Sequence, residues 1–255
     1  MISLSRVTKI YRRKKGWHFE NIVALNCIDL EINKGEIIGY IGPNGAGKST
    51  TIKVMTGVLK PDTGKCYIDG KIPWKSRKEV AKEIGVVFGQ KTQLWWDLPV
   101  VNSYELIKDI YGISDYDYKQ RMGELSALLD IESILDIPPR QLSLGQRMKC
   151  DIVASLLHNP KVLFLDEPTI GLDSPSKLSI RKFIKDINHK YKTTIVLTTH
   201  DMSDIEALAD RIILIGNGKI LFDTTKHQFK KMFTGSTSLD DMIVKCYKEF
   251  GLWDH

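Results

Sequence analysis

At 255 residues, 42% hydrophobic and 27% charged, the chain can bury one large α/β domain, and no stretch has the unbroken apolar run of a membrane span. The start, MISLSRVTKIYRRKKG, lacks the order of charge and apolar core that makes a secretory signal, so a cytoplasmic location is expected. The formal charge of +6 is spread along the chain except at YRRKK, whose Arg12, Arg13, Lys14 and Lys15 read as a solvated loop in preference to a contact with anionic lipid or ATP, and Cys27, Cys66, Cys150 and Cys246 form no C-x-x-C pair, which argues against a zinc ribbon and for free thiols.

In chain order, ISLSRVTKIY and VALNCIDLEI alternate apolar and polar residues and predict half-exposed antiparallel strands. Short apolar runs at 36–42, 161–166, 193–198 and 211–215 predict strands buried on both faces, and the helical patterns between them imply a mostly parallel sheet. Between about 101 and 160 the strands give way to helical patterns, a helical insertion. Asn217-Gly218 separates two apolar runs and predicts a two-residue hairpin. The expected division is a domain over 1–225, with its helical subdomain at about 101–160, and a short helical tail over 226–255.

Two motifs carry chemistry. The stretch Gly42, Pro43, Asn44, Gly45, Ala46, Gly47, Lys48, Ser49, Thr50 meets G-x-x-x-x-G-K-[ST] between a strand and a helix. Glycines let successive N–H groups point inward, and the helix N-terminus adds partial positive charge, which together make a nest for the β-phosphate of a nucleotide. Lys48 is placed to bridge the β- and γ-phosphates and Ser49 to hold Mg2+. Downstream, VLFLDEP puts Asp166 at the C-terminal end of a buried strand, where an aspartate can hold Mg2+. Glu167 follows as the carboxylate placed to deprotonate an attacking water.

Read with LSLGQRMKCDIVASLLHNPKVLFLDEPTIGLD and IVLTTHD, these residues resemble the nucleotide-binding subunit of ATP-binding cassette (ABC) transporters from Ser3 to about Lys219. The resemblance implies an α/β fold: a P-loop NTPase core with a mixed sheet, an N-terminal antiparallel β-subdomain and an inserted helical subdomain. Leu142, Ser143, Leu144, Gly145 and Gln146 stand where the family has its L-S-G-G-Q signature, with Leu144 replacing one glycine. The resemblance implies that Ser143, Gly145 and Gln146 of one copy reach ATP held by another. Ser143 also sits where it can open a helix whose residues Met148, Ile152 and Leu156 share one apolar face.

By the same resemblance Gly171, Leu172 and Asp173 form the D-loop between two copies, and His200 holds the γ-phosphate and the attacking water. Tyr11 is placed to stack on adenine, with Trp17 or Phe19, in the inserted RRKKGWHFEN, as alternatives. Gln90 matches the glutamine that reaches Mg2+ and water; it is preferred to Gln93 because its distance forward to LPV fits, although an extra Gly89 shifts its spacing from the strand. The segment after it lines the groove where a cytoplasmic helix of the membrane subunit docks, and there stand Trp95 and Trp96. Adjacent residues on a regular backbone cannot both face the same way, so one is expected at the surface if the other is core.

What the resemblance implies is a Mg2+-dependent ATPase working as a homodimer or pseudo-symmetric dimer at the cytoplasmic face of the cell membrane. It drives separate transmembrane permease subunits and binds no nucleic acid. The stretch GYIGPNGAGKSTTIKVMTGVLKPDTG and the short tail resemble exporters of the ABC-2 type. The alternative is a soluble ABC-type ATPase acting as a nucleotide-dependent switch without a pump.

Overall fold

The computed structural model describes residues 1–16, 18–89, 91–232 and 238–252. Its elements are β1 (Ile2–Lys15), β2 (His18–Ile32), β3 (Ile37–Ile41), α1 (Lys48–Met55), β4 (Thr63–Ile68), α2 (Arg77–Ala81), β5 (Ile84–Phe88), α3 (Val100–Tyr111), α4 (Asp115–Leu129), α5 (Leu144–Leu156), β6 (Val162–Asp166), α6 (Ser174–Tyr191), β7 (Thr194–Thr198), α7 (Met202–Leu208), β8 (Arg211–Gly216), β9 (Lys219–Thr225), α8 (Lys226–Met232) and α9 (Leu239–Glu249). They form two compact units, one of residues 1–80 and 196–255, the other of 81–195.

In the first unit β1 lies between β2 and β4 and is antiparallel to both. Leu25, Ile28, Leu30 and Ile32 of β2 are buried while Asp29 and Glu31 are exposed, the alternation of a sheet with one wet face. Between Leu25 and Ile28 that alternation breaks at a bulge, where Val7 pairs Ile28 but Lys9 pairs Leu25, and Cys27 takes a φ of 51°. Arg12–Lys15, read from sequence as a solvated loop, is strand: its backbone pairs with Asn21–His18, while the side chains of residues 12–14 and 18–21 are all exposed, so solvated is right and loop is not.

β3, buried along its whole length, runs parallel to β8. β8 then reverses into antiparallel β9 through Asn217 and Gly218, whose φ values of 48° and 72° are those of the predicted tight hairpin. Beyond β9 the described residues form α8 and α9, which enter the core of this unit. Phe229 of α8 and Leu239, Met242, Ile243 and Cys246 of α9 share a buried cluster with Ile41, Ile205, Ile212 and Leu214. At about 1.5–3 kcal/mol for each large apolar side chain removed from water, that contact is a substantial part of the unit's stability.

In the second unit β5 and β6 are parallel, in register from Ile84 opposite Val162 to Phe88 opposite Asp166. α3, α4 and α5 fill the predicted helical stretch. Met148, Ile152 and Leu156 are buried as their spacing implied, and Cys150, Val153 and Ala154 are buried too, so α5 is enclosed on nearly all sides. All four cysteines are free thiols. No described helix is long and apolar enough to cross a membrane.

Phe229→Ala is expected to destabilise the chain by about 3–5 kcal/mol, because its ring is fully buried and leaves a cavity. Urea denaturation measures this. A tail that merely rests on the surface would lose less than about 1 kcal/mol.

Candidate functional site

β3 ends at Ile41 and α1 begins at Lys48, so residues 42–47 must turn the chain within a tight curl. Two of them have no room for a side chain. A Cβ on Gly42 would lie 2.3 Å from the carbonyl oxygen of Ile215, and one on Gly47, whose φ is 112°, would lie 2.6 Å from that of Ala24. The curl is closed by Ala46 N–H donating to Pro43 O (3.1 Å) and by Gly218 N–H donating to Ala46 O (3.0 Å). Thr51 anchors the helix start: its hydroxyl donates to Gly47 O (3.0 Å) and lies 3.1 Å from the Tyr40 hydroxyl, whose pKa burial pushes up.

Lys48 is buried, and its Nζ donates to Gly42 O (2.7 Å) and Pro43 O (3.1 Å). The ammonium therefore lies inside the curl, beside the N-terminal amides of α1. Exposed Asn44, Gly45 and Ser49 and half-buried Pro43 and Thr50 complete the rim. A cation held in a concave loop at a helix N-terminus is a cradle for phosphate oxygens. Ser49, on the first turn of α1, offers a hydroxyl to a cation bound with that phosphate.

Two other predicted residues belong to this unit. His200 is exposed just past β7, and the backbone on its two sides is fixed: Thr199 donates to buried Asp204 (2.9 Å), and Asp201 N–H donates to the Thr199 hydroxyl (3.0 Å). Asp201 in turn accepts from Ser203 N–H (3.0 Å) as the cap of α7. Thr199 and Asp204, five residues apart, were not singled out from the sequence, where nothing marks the carboxylate as buried against the hydroxyl. Tyr11, opposite Ile22, is partly exposed with Lys9 Nζ 5.9 Å from its ring. Phe19, opposite Lys14, lies on the other face of the same ribbon, so Tyr11 and Phe19 cannot serve one base from the same side. Trp17 lies outside the described residues.

In the second unit Asp166 ends β6 half-buried, and Glu167 follows with a φ of 56°. The left-handed region costs a glutamate roughly 1 kcal/mol or more and is found where the surroundings impose it. Here the turn is held by Ile170 N–H donating to Glu167 O (3.3 Å). The extra residue noted in the sequence, Gly89, runs tightly past the acid pair. Its N–H donates to Asp166 O (2.8 Å), and a Cβ on it would lie 2.4 Å from Glu167 O, so only glycine lets the chain leaving β5 pass the acid pair. Gln90 lies outside the described residues. Gln93 is engaged elsewhere, since its Nε2 donates to Asp151 O (3.0 Å).

Ser143 caps α5 as expected. Its hydroxyl oxygen accepts from Gln146 N–H (3.2 Å) while Gln146 Oε1 accepts from Ser143 N–H (2.9 Å), a reciprocal capping box. The signature and the D-loop are brought together. A Cβ on Gly145 would lie 2.5 Å from Ser176 Oγ, and Leu144, the replacement for a glycine, reaches to 3.1 Å from where a Cβ on Gly171 would stand. Leu172 is buried, and Asp173 caps α6 through its backbone with no side-chain cap bond.

Between β5 and α3, residues 92, 93 and 96 make contact with α5. Buried Asp151 accepts from the Thr92 hydroxyl (2.9 Å) and from Gln93 N–H (3.0 Å) through one oxygen. One turn earlier on α5, the Arg147 guanidinium stands 5.3 Å from the Trp96 ring. Trp95 N–H donates to Ser103 Oγ (2.9 Å) on α3. Trp95 and Trp96 are 52% and 47% exposed, so neither is core. The expected division between surface and core fails because the backbone is irregular there: Leu98 N–H donates back to Trp95 O (3.4 Å), and the turn carries both rings outward.

Known proteins resemble this chain in sequence and fold. A family model described as ABC transporter matches residues 25–170. The chain is 37% identical over 203 residues to a probable sulfate/thiosulfate import ATP-binding protein CysA of Chlorella vulgaris, covering 80% of this chain and 85% of that one. It is 36% identical over 225 residues to a methionine import ATP-binding protein MetN of Geobacillus kaustophilus, covering 87% of this chain and 64% of that one. A solved dimeric ATP-binding cassette in a post-hydrolysis state bound to ADP and Pi superposes with a TM-score of 0.78 at 31% identity, covering 88% of this chain and 98% of that chain.

Burial raises the Asp151 carboxyl to about 6. Its folded pKa exceeds the unfolded value of about 3.9, so the stability this group contributes is fully present below about pH 4 and is lost as pH rises through about 6. Asp151→Asn keeps an acceptor for Thr92 and Gln93 and is expected to flatten that slope in denaturation curves taken from pH 4 to 7. Asp151→Ala leaves both donors without this acceptor and is expected to lower stability by about 1–3 kcal/mol at every pH in the range.

Proposed function

The chain belongs to the ABC transporter family as an ATP-binding, ATP-hydrolysing subunit, and from that premise we propose that it drives membrane transport through separate permease subunits at the cytoplasmic face of the membrane. The observation that carries this reading is the cradle, with the Lys48 ammonium held inside a glycine curl at the start of α1.

The roles follow from the chemistry of each group. Lys48 and the loop amides bind the β- and γ-phosphates. Ser49 and Asp166, with Gln90, hold Mg2+. When bound, that ion neutralises charge on the phosphate oxygens. Glu167 takes the proton of the water whose oxygen attacks the γ-phosphorus, as the bond to the bridging oxygen of ADP breaks. His200 and Lys48 stabilise the charge that develops on the transferred group. Tyr11 stacks on adenine.

Two copies close head to tail, so that Ser143, Gly145 and Gln146 of one complete the site of the other and Gly171, Leu172 and Asp173 join the two sites. The solved dimeric cassette supports an arrangement of this kind. Closure and reopening move the permeases through the groove at Trp95 and Trp96. The hydrogen bonds of Asp151 and the Arg147 contact with Trp96 support this coupling, because they tie that segment to the helix that Ser143 caps. For direction, the resemblance of the cradle stretch to ABC-2 exporters and the short tail favour export, whereas the names of the two relatives favour import.

Glu167→Gln is expected to lower phosphate release by about 10²–10⁴-fold while ATP still binds and holds the variant as a dimer. Release at the wild-type rate would remove Glu167 from the mechanism, and a variant that stays monomeric in ATP would count against the shared site. Trp95→Ala/Trp96→Ala is expected to keep ATPase activity in isolation and to lose co-purification with multi-span membrane proteins from gently solubilised membranes. Equal recovery of those proteins would take the tryptophans out of the docking surface, and the identity of what is recovered decides between export and import.

A further inference from the structure

β1 and β2 extend past the three-stranded sheet as an arm. β4 pairs with β1 only as far as Thr8 opposite Thr63, while β1 and β2 stay paired from Ile10 opposite Val23 out to Lys15 opposite His18. At about 3.3 Å per residue the arm is roughly 17 Å long. A two-stranded ribbon is marginally stable alone in water. This one nevertheless exposes Ile10 (37%), Phe19 (70%) and Val23 (47%) together, where a scattering of single apolar residues would need no explanation.

Directly opposed residues share a face, and successive pairs alternate between faces. One face of the arm carries Tyr11, Ile22, Arg13 and Glu20, and it is the face that offers an aromatic to the base. The other carries Ile10, Val23, Arg12, Asn21, Lys14 and Phe19. That second face has two exposed cations, three exposed apolar side chains and no carboxylate. At its base, Asp62 accepts from Ile10 N–H (2.7 Å) and Lys9 Nζ (3.3 Å), so that acid is already engaged with the arm's own backbone and with Lys9.

We propose that this acid-free face of the arm lies on an anionic phospholipid surface. Arg12 and Lys14 reach lipid phosphates on long stems that adapt to a fluid surface, and Phe19, with Ile10 and Val23, enters the boundary between headgroups and acyl chains. The backbone groups along the ribbon's outer edges stay hydrated there, as they could not against a dry protein groove. Charge of one sign favours a surface rich in the opposite charge, and a lipid leaflet supplies it without matching pockets. The contact goes beyond the ATPase and permease roles and uses none of their residues.

The test is co-sedimentation of the full chain with vesicles of phosphatidylcholine alone and of phosphatidylcholine mixed with phosphatidylglycerol. Binding is expected only to the mixed vesicles and is expected to weaken in high salt. Each cation near such a surface is worth about fivefold in affinity, so Arg12→Gln/Lys14→Gln should bind about 25-fold more weakly. Its ATPase activity should equal that of the wild type, which separates lost lipid contact from misfolding and from failure of the proposed function. Equal binding to neutral vesicles, or undiminished binding by the double variant, would overturn the proposal. So would a variant that sediments normally with lipid but no longer co-purifies with membrane proteins, because the face would then belong to a protein partner.

Discussion

The first unit depends on how closely its backbone passes itself at the cradle. Gly42 lies against the carbonyl of Ile215 on β8, and both Gly47 and Gly218 lie against the carbonyl of Ala24 on β2. Close approach lets Gly218 N–H donate to Ala46 O and Asn26 N–H donate to Gly218 O (2.8 Å), so strand, hairpin turn and phosphate loop form one braced group. A cradle of this kind is rigid before any anion arrives, and a loop already shaped to its ligand loses little entropy on binding. Lys48, bonded to Gly42 O and Pro43 O, keeps its charge where the phosphates would sit.

The second unit meets an analogous constraint at the end of β6. Asp166 and Glu167 leave so little room that the neighbouring chain can pass only at Gly89, and Glu167 itself is held in a left-handed turn. Beyond Gly89 the chain is caught again by Asp151, a buried carboxylate accepting two hydrogen bonds from residues 92 and 93. Few buried acids are tolerated without such donors. The result is that the acid pair, residues 92–98 and α5 are joined through short, directional contacts, the sort that shift as a body.

Much of this was legible in the sequence, for a common reason. The cradle, the capped start of α5, the acid pair at a strand end and the Asn217-Gly218 hairpin are each written in fewer than ten consecutive residues. The apolar spacing of Met148, Ile152 and Leu156 likewise reports a helix face from within the helix. Where the reading went astray, it had assumed regular or unstructured backbone. Trp95 and Trp96 were treated as neighbours on a regular element and proved to be the first two residues of a turn; Arg12–Lys15 was treated as a loop and proved to be paired strand.

By itself, then, the sequence determined which short segments turn, cap, cradle phosphate or present a carboxylate, because those properties depend on local dihedral freedom and on groups a few residues apart. Only the tertiary structure decided what depends on approach between distant residues. It showed that a carbonyl contact demands glycine at position 89, and that Asp151 is buried under a segment 58 residues away. It also showed that the tail's Phe229 is fully buried beside Ile41, a strand residue from near the other end of the chain. Burial and steric exclusion are set by atoms that meet only once the chain has folded, and no local pattern records them.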